Sequence, residues 1–245
     1  SGTDTIELGG ARFTEGVQFS FPINTRLAPS GRLLLVSDEE AFVSHYGPGL
    51  PIVGQYDGLL DNSGEQLVIE SSTGNVILNF NYNDGSEWPS GSDGEGYSLV
   101  SRDSDLSDAL SWRDSAERMG NPGESDNTRF SGIPSTDEDG DGVEALLEYA
   151  TGGDDRSPGD DLATPVLSIS RDGHLEIAIN LNLSAFDIDI SLEQTSDLVT
   201  WEPLVGFERI AIIRDQAKGT ARVVYRALAP QESSTKFLRL RAILR

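Results

Sequence analysis

Apolar residues recur at every second position in short runs, and turn residues divide the runs. Val17-Gln18-Phe19-Ser20-Phe21 alternates until Pro22 stops it, and Gln66–Glu70 and residues 76–82 flank the turn Ser71-Ser72-Thr73-Gly74-Asn75. A period of two places the apolar side chains on one face of a strand. Arg32-Leu33-Leu34-Leu35-Val36 is a short apolar run, the mark of a strand buried on both faces, and Ser98-Leu99-Val100 closes the set. One helix interrupts them. Ser37 is placed to cap it, Glu40 to return the bond, and Ala41, Phe42 and Tyr46 share a face before Gly47-Pro48 ends it.

After Thr164 the strands resume. Val166–Ile169 and Leu175-Glu176-Ile177-Ala178-Ile179 flank Arg171-Asp172-Gly173, a hairpin signal. Phe186-Asp187-Ile188-Asp189-Ile190-Ser191-Leu192 alternates strictly, residues 209–214 and 221–225 flank a turn ending Lys218-Gly219, and Phe237–Leu244 alternates as well. The pattern predicts a mainly β chain of two sandwich modules, residues 1–123 and 165–245, joined by a linker over 124–164. Within that linker 120–136 and 152–161 are rich in Gly, Pro, Ser and Asp, and a short helix over 143–149 presents Val143, Leu146, Leu147 and Ala150.

Several blocks carry a family resemblance. Leu8-Gly9-Gly10-Ala11-Arg12-Phe13-Thr14, Phe19-Ser20-Phe21-Pro22, Leu27-Ala28-Pro29-Ser30-Gly31, Ala41-Phe42 with His45-Tyr46-Gly47, Leu59-Leu60-Asp61-Asn62-Ser63-Gly64-Glu65, Trp88-Pro89 and Gly96-Tyr97-Ser98-Leu99 succeed one another in order. With Trp112-Arg113 and Gly120-Asn121-Pro122-Gly123 they resemble the bacterial lamin tail domain over about residues 5–123. The resemblance implies an immunoglobulin-like sandwich. Such domains begin with two strands before the Leu-Gly-Gly corner, whereas only seven residues stand before it here, which implies an open sheet edge. Residues 3–8 of a neighbouring chain, a cleaved segment of the same parent, or the linker are the candidate covers. Ser196-Asp197-Leu198-Val199-Thr200-Trp201 resembles the carboxy-terminal modules of secreted bacterial proteins and implies a fibronectin-like fold there.

Charge narrows the function classes. The 245 residues carry 18 Lys and Arg against 41 Asp and Glu, a net charge of −23. Residues 1–119 hold −13 of it, 120–163 hold −10, and 164–245 are neutral with ten acids and ten bases. Such a surface repels phosphate, so no nucleic-acid partner is expected. There is no cysteine, hence no disulfide, thiolate metal site or cysteine nucleophile, and no apolar run long enough to span a membrane.

The most informative stretch is Asp137-Glu138-Asp139-Gly140-Asp141-Gly142-Val143-Glu144-Ala145-Leu146-Leu147-Glu148, a complete twelve-position calcium loop. Ca²⁺ takes six to eight oxygens, and alternate residues of a tight loop can aim theirs inward. Asp137, Asp139 and Asp141 occupy positions 1, 3 and 5. Gly142 allows the turn, Val143 offers its carbonyl, Ala145 leaves room for water, and Glu148 closes the set from a helix. The loop resembles the isolated calcium loops of dockerin and thrombospondin-type repeats, which brace linkers.

Signals of catalysis are thin. His45 and His174 are the only histidines, and both read as surface or packing residues; Trp88, Trp112 and Trp201 stand at strand ends, where core packing is commoner than sugar stacking. The expectation is a non-catalytic, extracellular or cell-surface structural and interaction protein with a calcium-braced linker. Protein partners or self-association are expected, carbohydrate being a lesser partner. The alternative is an accessory, carbohydrate-binding region of a larger secreted enzyme.

Overall fold

The computed structural model describes residues 3–159, 162–230 and 236–245. The fold is mainly β: among the described residues there are sixteen strands and two α-helices. The chain forms two compact units, one running to Ser111 and including Ser115–Asp126, the other comprising Trp112–Asp114 and Asn127–Arg245.

In the first unit β1 (Ile6–Glu7) pairs with β3 (Arg26–Leu27), and β2 (Arg12–Glu15), β6 (Gln66–Glu70) and β7 (Val76–Asn81) form an antiparallel sheet. β4 (Leu34–Val36) pairs in parallel with β5 (Ile52–Gln55), and β8 (Leu99–Ser101) comes after them. Leu8, Ala11 and Phe21 make the core, with Phe13, Phe19, Leu35 and Ile69 packed on it. The alternation over 17–21 governs burial without making a continuous strand. Val17 and Phe21 are buried and Gln18 and Ser20 are not, yet only bridges to Asp57 and Arg12 form. Gly9 is required by close approach, since a Cβ there would lie 1.9 Å from the Ile23 carbonyl oxygen.

Helix α1 (Glu39–Tyr46) is capped one residue later than the sequence suggests. The Asp38 carboxylate, not Ser37, accepts the Ala41 amide at 2.9 Å. An anionic cap gains twice, from the hydrogen bond and from the helix dipole. At the amino end, Ile6 and Glu7 are paired within their own unit and Leu8 is buried in its core. Residues 3–8, one of the candidate covers for an open edge, are thus engaged from Ile6 onward within their own unit.

The second unit contains β9 (Trp112–Asp114), helix α2 (Ala145–Thr151) and seven further strands: β10 (Val166–Ile169), β11 (Leu175–Asn182), β12 (Ile188–Thr195), β13 (Glu202–Pro203), β14 (Phe207–Asp215), β15 (Thr220–Ala227) and β16 (Phe237–Leu244). Two antiparallel sheets form, in orders β10-β11-β15-β14 and β13-β12-β16. Ile177 and Val223 are fully buried at the centre of the larger sheet.

Residues whose composition suggests a linker are packed here. Leu146 and Ala150 of α2 meet Ile188, with Phe130, Tyr149, Ile190 and Ala242 around them. The Asn182 side-chain amide donates to the Tyr149 carbonyl at 2.9 Å, and Asp187 accepts both the Phe130 amide (3.0 Å) and the Tyr149 hydroxyl (3.3 Å). The apolar face of the helix was legible; its partner lies about 40 residues away in sequence.

In the smaller sheet, Glu193 is nearly buried and accepts from Arg239 at 2.6 Å and Arg241 at 3.3 Å, while the Arg239 guanidinium stands 4.2 Å over the Trp201 ring. Hydrogen bonding from Arg239, helped by Arg241, holds the Glu193 carboxyl below the usual range against the opposing effect of burial. A lowered folded-state pKa gives stability that is full above the unfolded value, about 4.3, and is lost as pH falls through the folded one. Glu193→Gln should therefore lower the urea midpoint of the second unit at pH 7. The gap from wild type should close as the pH is taken well below 4. A gap independent of pH would contradict this.

Candidate metal centre

The loop preceding α2 is folded by its own aspartates. Asp137 accepts the amides of Gly140 (2.8 Å) and Asp141 (3.1 Å) on one oxygen and of Gly142 (3.0 Å) on the other. Asp139 accepts from Asp141 at 3.1 Å, and Asp141 from Val143 at 2.9 Å. Short polar side chains that bind the backbone a few residues on favour such turns over helix. Gly140 and Gly142 supply the left-handed backbone, φ +78° and +93°, at which a side chain would be strained.

The turn brings Asp137, Asp139 and Asp141 together, with carboxylate oxygens within 4.8 Å of one another. Asp137 and Asp141 are exposed and Asp139 half-buried; Asp139 Oδ2 is buried with no hydrogen-bond partner among the described residues. Burial, and then the charges of Asp141, Asp137 and Asp155, raise the Asp139 pKa against the lowering effect of the Asp141 amide. Three convergent carboxylates, one with an oxygen left over, form a group that could hold a metal ion. The donors are all hard oxygens, which suit Ca²⁺, Mg²⁺ or Mn²⁺ rather than thiophilic metals.

Glu148 and Val143 stand where the chain enters the helix. Glu148 lies in α2 at 1% exposure, with both carboxylate oxygens buried, and is not a member of the 4.8 Å group. Val143 is half-buried beside the helix N-cap, Glu144. Glu144 makes no side-chain cap; instead the first helical amides, Ala145 and Leu146, donate to the carbonyls of Thr136 (2.8 Å) and Pro134 (3.2 Å). Gly152, φ +90°, ends the helix.

A second segment braces the loop from outside, and no motif announces it. Asp155 accepts the Glu138 amide at 2.9 Å, the Gly159 amide donates to Asp141 Oδ2 at 3.2 Å, and Arg156 donates to Glu138 at 3.1 Å. This return segment lies just past the helix, where its composition reads as simple linker. Only the repeated Asp154-Asp155 pair hints at more.

The other candidates disperse. His45 is exposed beside the Tyr46 ring, and His174 Nδ1 donates to the Ala227 carbonyl at 2.7 Å. Trp112 is buried and Trp201 already carries Arg239 on its ring; Trp88 is half-buried. No described helix is long and apolar enough to cross a membrane. Comparison with protein-family models, with curated proteins and with solved structures finds no match in any of the three.

A raised folded-state pKa means stability that is full at low pH and is lost as pH rises through the folded value. In chelator, Asp139→Asn removes that loss. The variant should melt above wild type at pH 7, and its advantage should vanish in acid. A lower melting temperature in chelator at pH 7 would contradict the crowding.

Proposed function

We propose that the chain is a non-catalytic structural and interaction module of an extracellular or cell-surface protein, in which one Ca²⁺ holds the loop 137–148 in place. Asp137, Asp139, Asp141, the Val143 carbonyl and Glu148 are its ligands, with water completing the shell. The observation that carries the reading is the convergence of the three aspartates on a loop continuous with α2. The lamin-tail-like reading of residues 5–123 belongs to the same proposal and rests on the sequence blocks; the first unit itself is strand-rich.

Because α2 packs into the second unit, the ion does more than stiffen a tether. A ligand that binds only the folded state adds stability by mass action, about 2.7 kcal/mol at a hundred times its Kd. Calorimetric titration of the full chain should give one Ca²⁺ site and raise the melting temperature of the second unit. Asp139→Ala should abolish both effects. Heat without any stabilisation, or the same site persisting in Asp139→Ala, would refute the ligand set.

A further inference from the structure

Four strand edges terminate the two sheets of the second unit, and three of them are defended. β14 carries a bulge between Arg209 and Ala211 and the charges Glu208, Arg209, Arg214 and Asp215. β13 is two residues long and ends in Pro203. β16 bears Arg239 and Arg241 and lies against α2. These are the devices by which sheets avoid pairing with other chains. The fourth edge, β10, has none of them: Val166-Leu167-Ser168-Ile169 is uncharged, and all four residues are exposed.

The register shows which backbone groups that edge offers. The Ser170 amide donates to the His174 carbonyl at 2.9 Å, so Ser170 faces β11. Alternation then turns Ser168 and Val166 toward β11 as well, opposite Glu176 and Ala178. The N–H and C=O groups of Leu167 and Ile169 point away from the sheet, and no described strand pairs with β10 on that side. Their side chains lie on the face that carries Ile177 and Leu175, which they oppose, and Ile177 is fully buried. Leu167 and Ile169 nevertheless remain 54% and 60% exposed. Leu167 and Leu175 border a cleft of about 480 Å³ with Val205, Phe207 and Phe237.

We propose that β10 is a self-association edge, and that its occupant is β10 of a second copy, antiparallel across a two-fold axis at Ser168. Charge selects this occupant. Two chains of net charge −23 repel over most of their surfaces, but residues 164–245 are neutral and β10 itself is uncharged. The geometry is self-complementary, as an isologous contact must be. Leu167 of each copy faces Ile169 of the other, each pair exchanges two N–H···O=C bonds, and the four-stranded sheets continue as one of eight. The exposed Leu167 and Ile169 side chains are then covered by their counterparts. This specifies the interaction part of the reading above and uses no metal, so the two fail separately.

The test is light scattering and amide exchange on the full chain over a concentration series, in calcium and in chelator. Dimers should form in both, and added salt should strengthen them by screening the net charge. The Leu167 and Ile169 amides should exchange slowly when concentrated and quickly on dilution, while Ser168 stays protected throughout. Ile169→Lys should give a folded monomer, and Ile213→Lys on the defended β14 edge should still dimerise. A monomer at every concentration would overturn the proposal. So would a dimer whose Leu167 and Ile169 amides stay unprotected, because association would then run through another surface.

Discussion

The convergence of like charge at residues 137–141 is the constraint around which the loop before α2 is built. Asp137, Asp139 and Asp141 each spend carboxylate oxygens on backbone amides of the same turn, which shapes the loop and crowds the remaining oxygens. Burial first, and then the neighbouring charges, raise the pKa of the half-buried Asp139. A turn built in this way is tight because its acidic side chains bind its own backbone, and the same side chains form a group that could hold a metal ion. The glycines at 140 and 142 make the geometry possible, and the charge makes a ligand for it reasonable.

Helix α2 gives that charge its reach. It begins three residues beyond Gly142 and buries Leu146 and Ala150 against Ile188 of the smaller sheet. Tyr149 and Asp187 extend the contact to Phe130, upstream of the loop, and Asp155 and Gly159 hold the loop from the downstream side. Chain on both sides of the acidic turn is therefore fastened to a single unit. Order in the loop and order in the sheet beneath the helix are linked, since neither end of α2 can move without disturbing packed side chains.

Much of the fold was legible because side-chain alternation is a local property. β6, β10 and β16 fall on the runs that the pattern marks, and both strands around Lys218-Gly219 are found with longer bounds. Where pattern and structure part, the missing information was non-local. Val17 to Phe21 alternates in burial, but no neighbouring strand runs alongside it, so it makes bridges only. The stretch 124–164 has the composition of a linker, and nothing in Leu146 or Ala150 names Ile188 as their partner. The aspartates of the loop were readable from spacing alone. Asp155 was not, because it acts through the Glu138 backbone amide, a contact no side-chain pattern encodes.

Coupling between the acidic loop and the second unit is the central claim, and amide exchange with and without calcium reads it directly. Calcium should slow exchange at the α2 amides, including Glu148 and Gly152, and in β11 and β16, against which the helix lies. Strands of the first unit should be unaffected. Protection confined to residues 137–143, or none at all, would contradict that coupling.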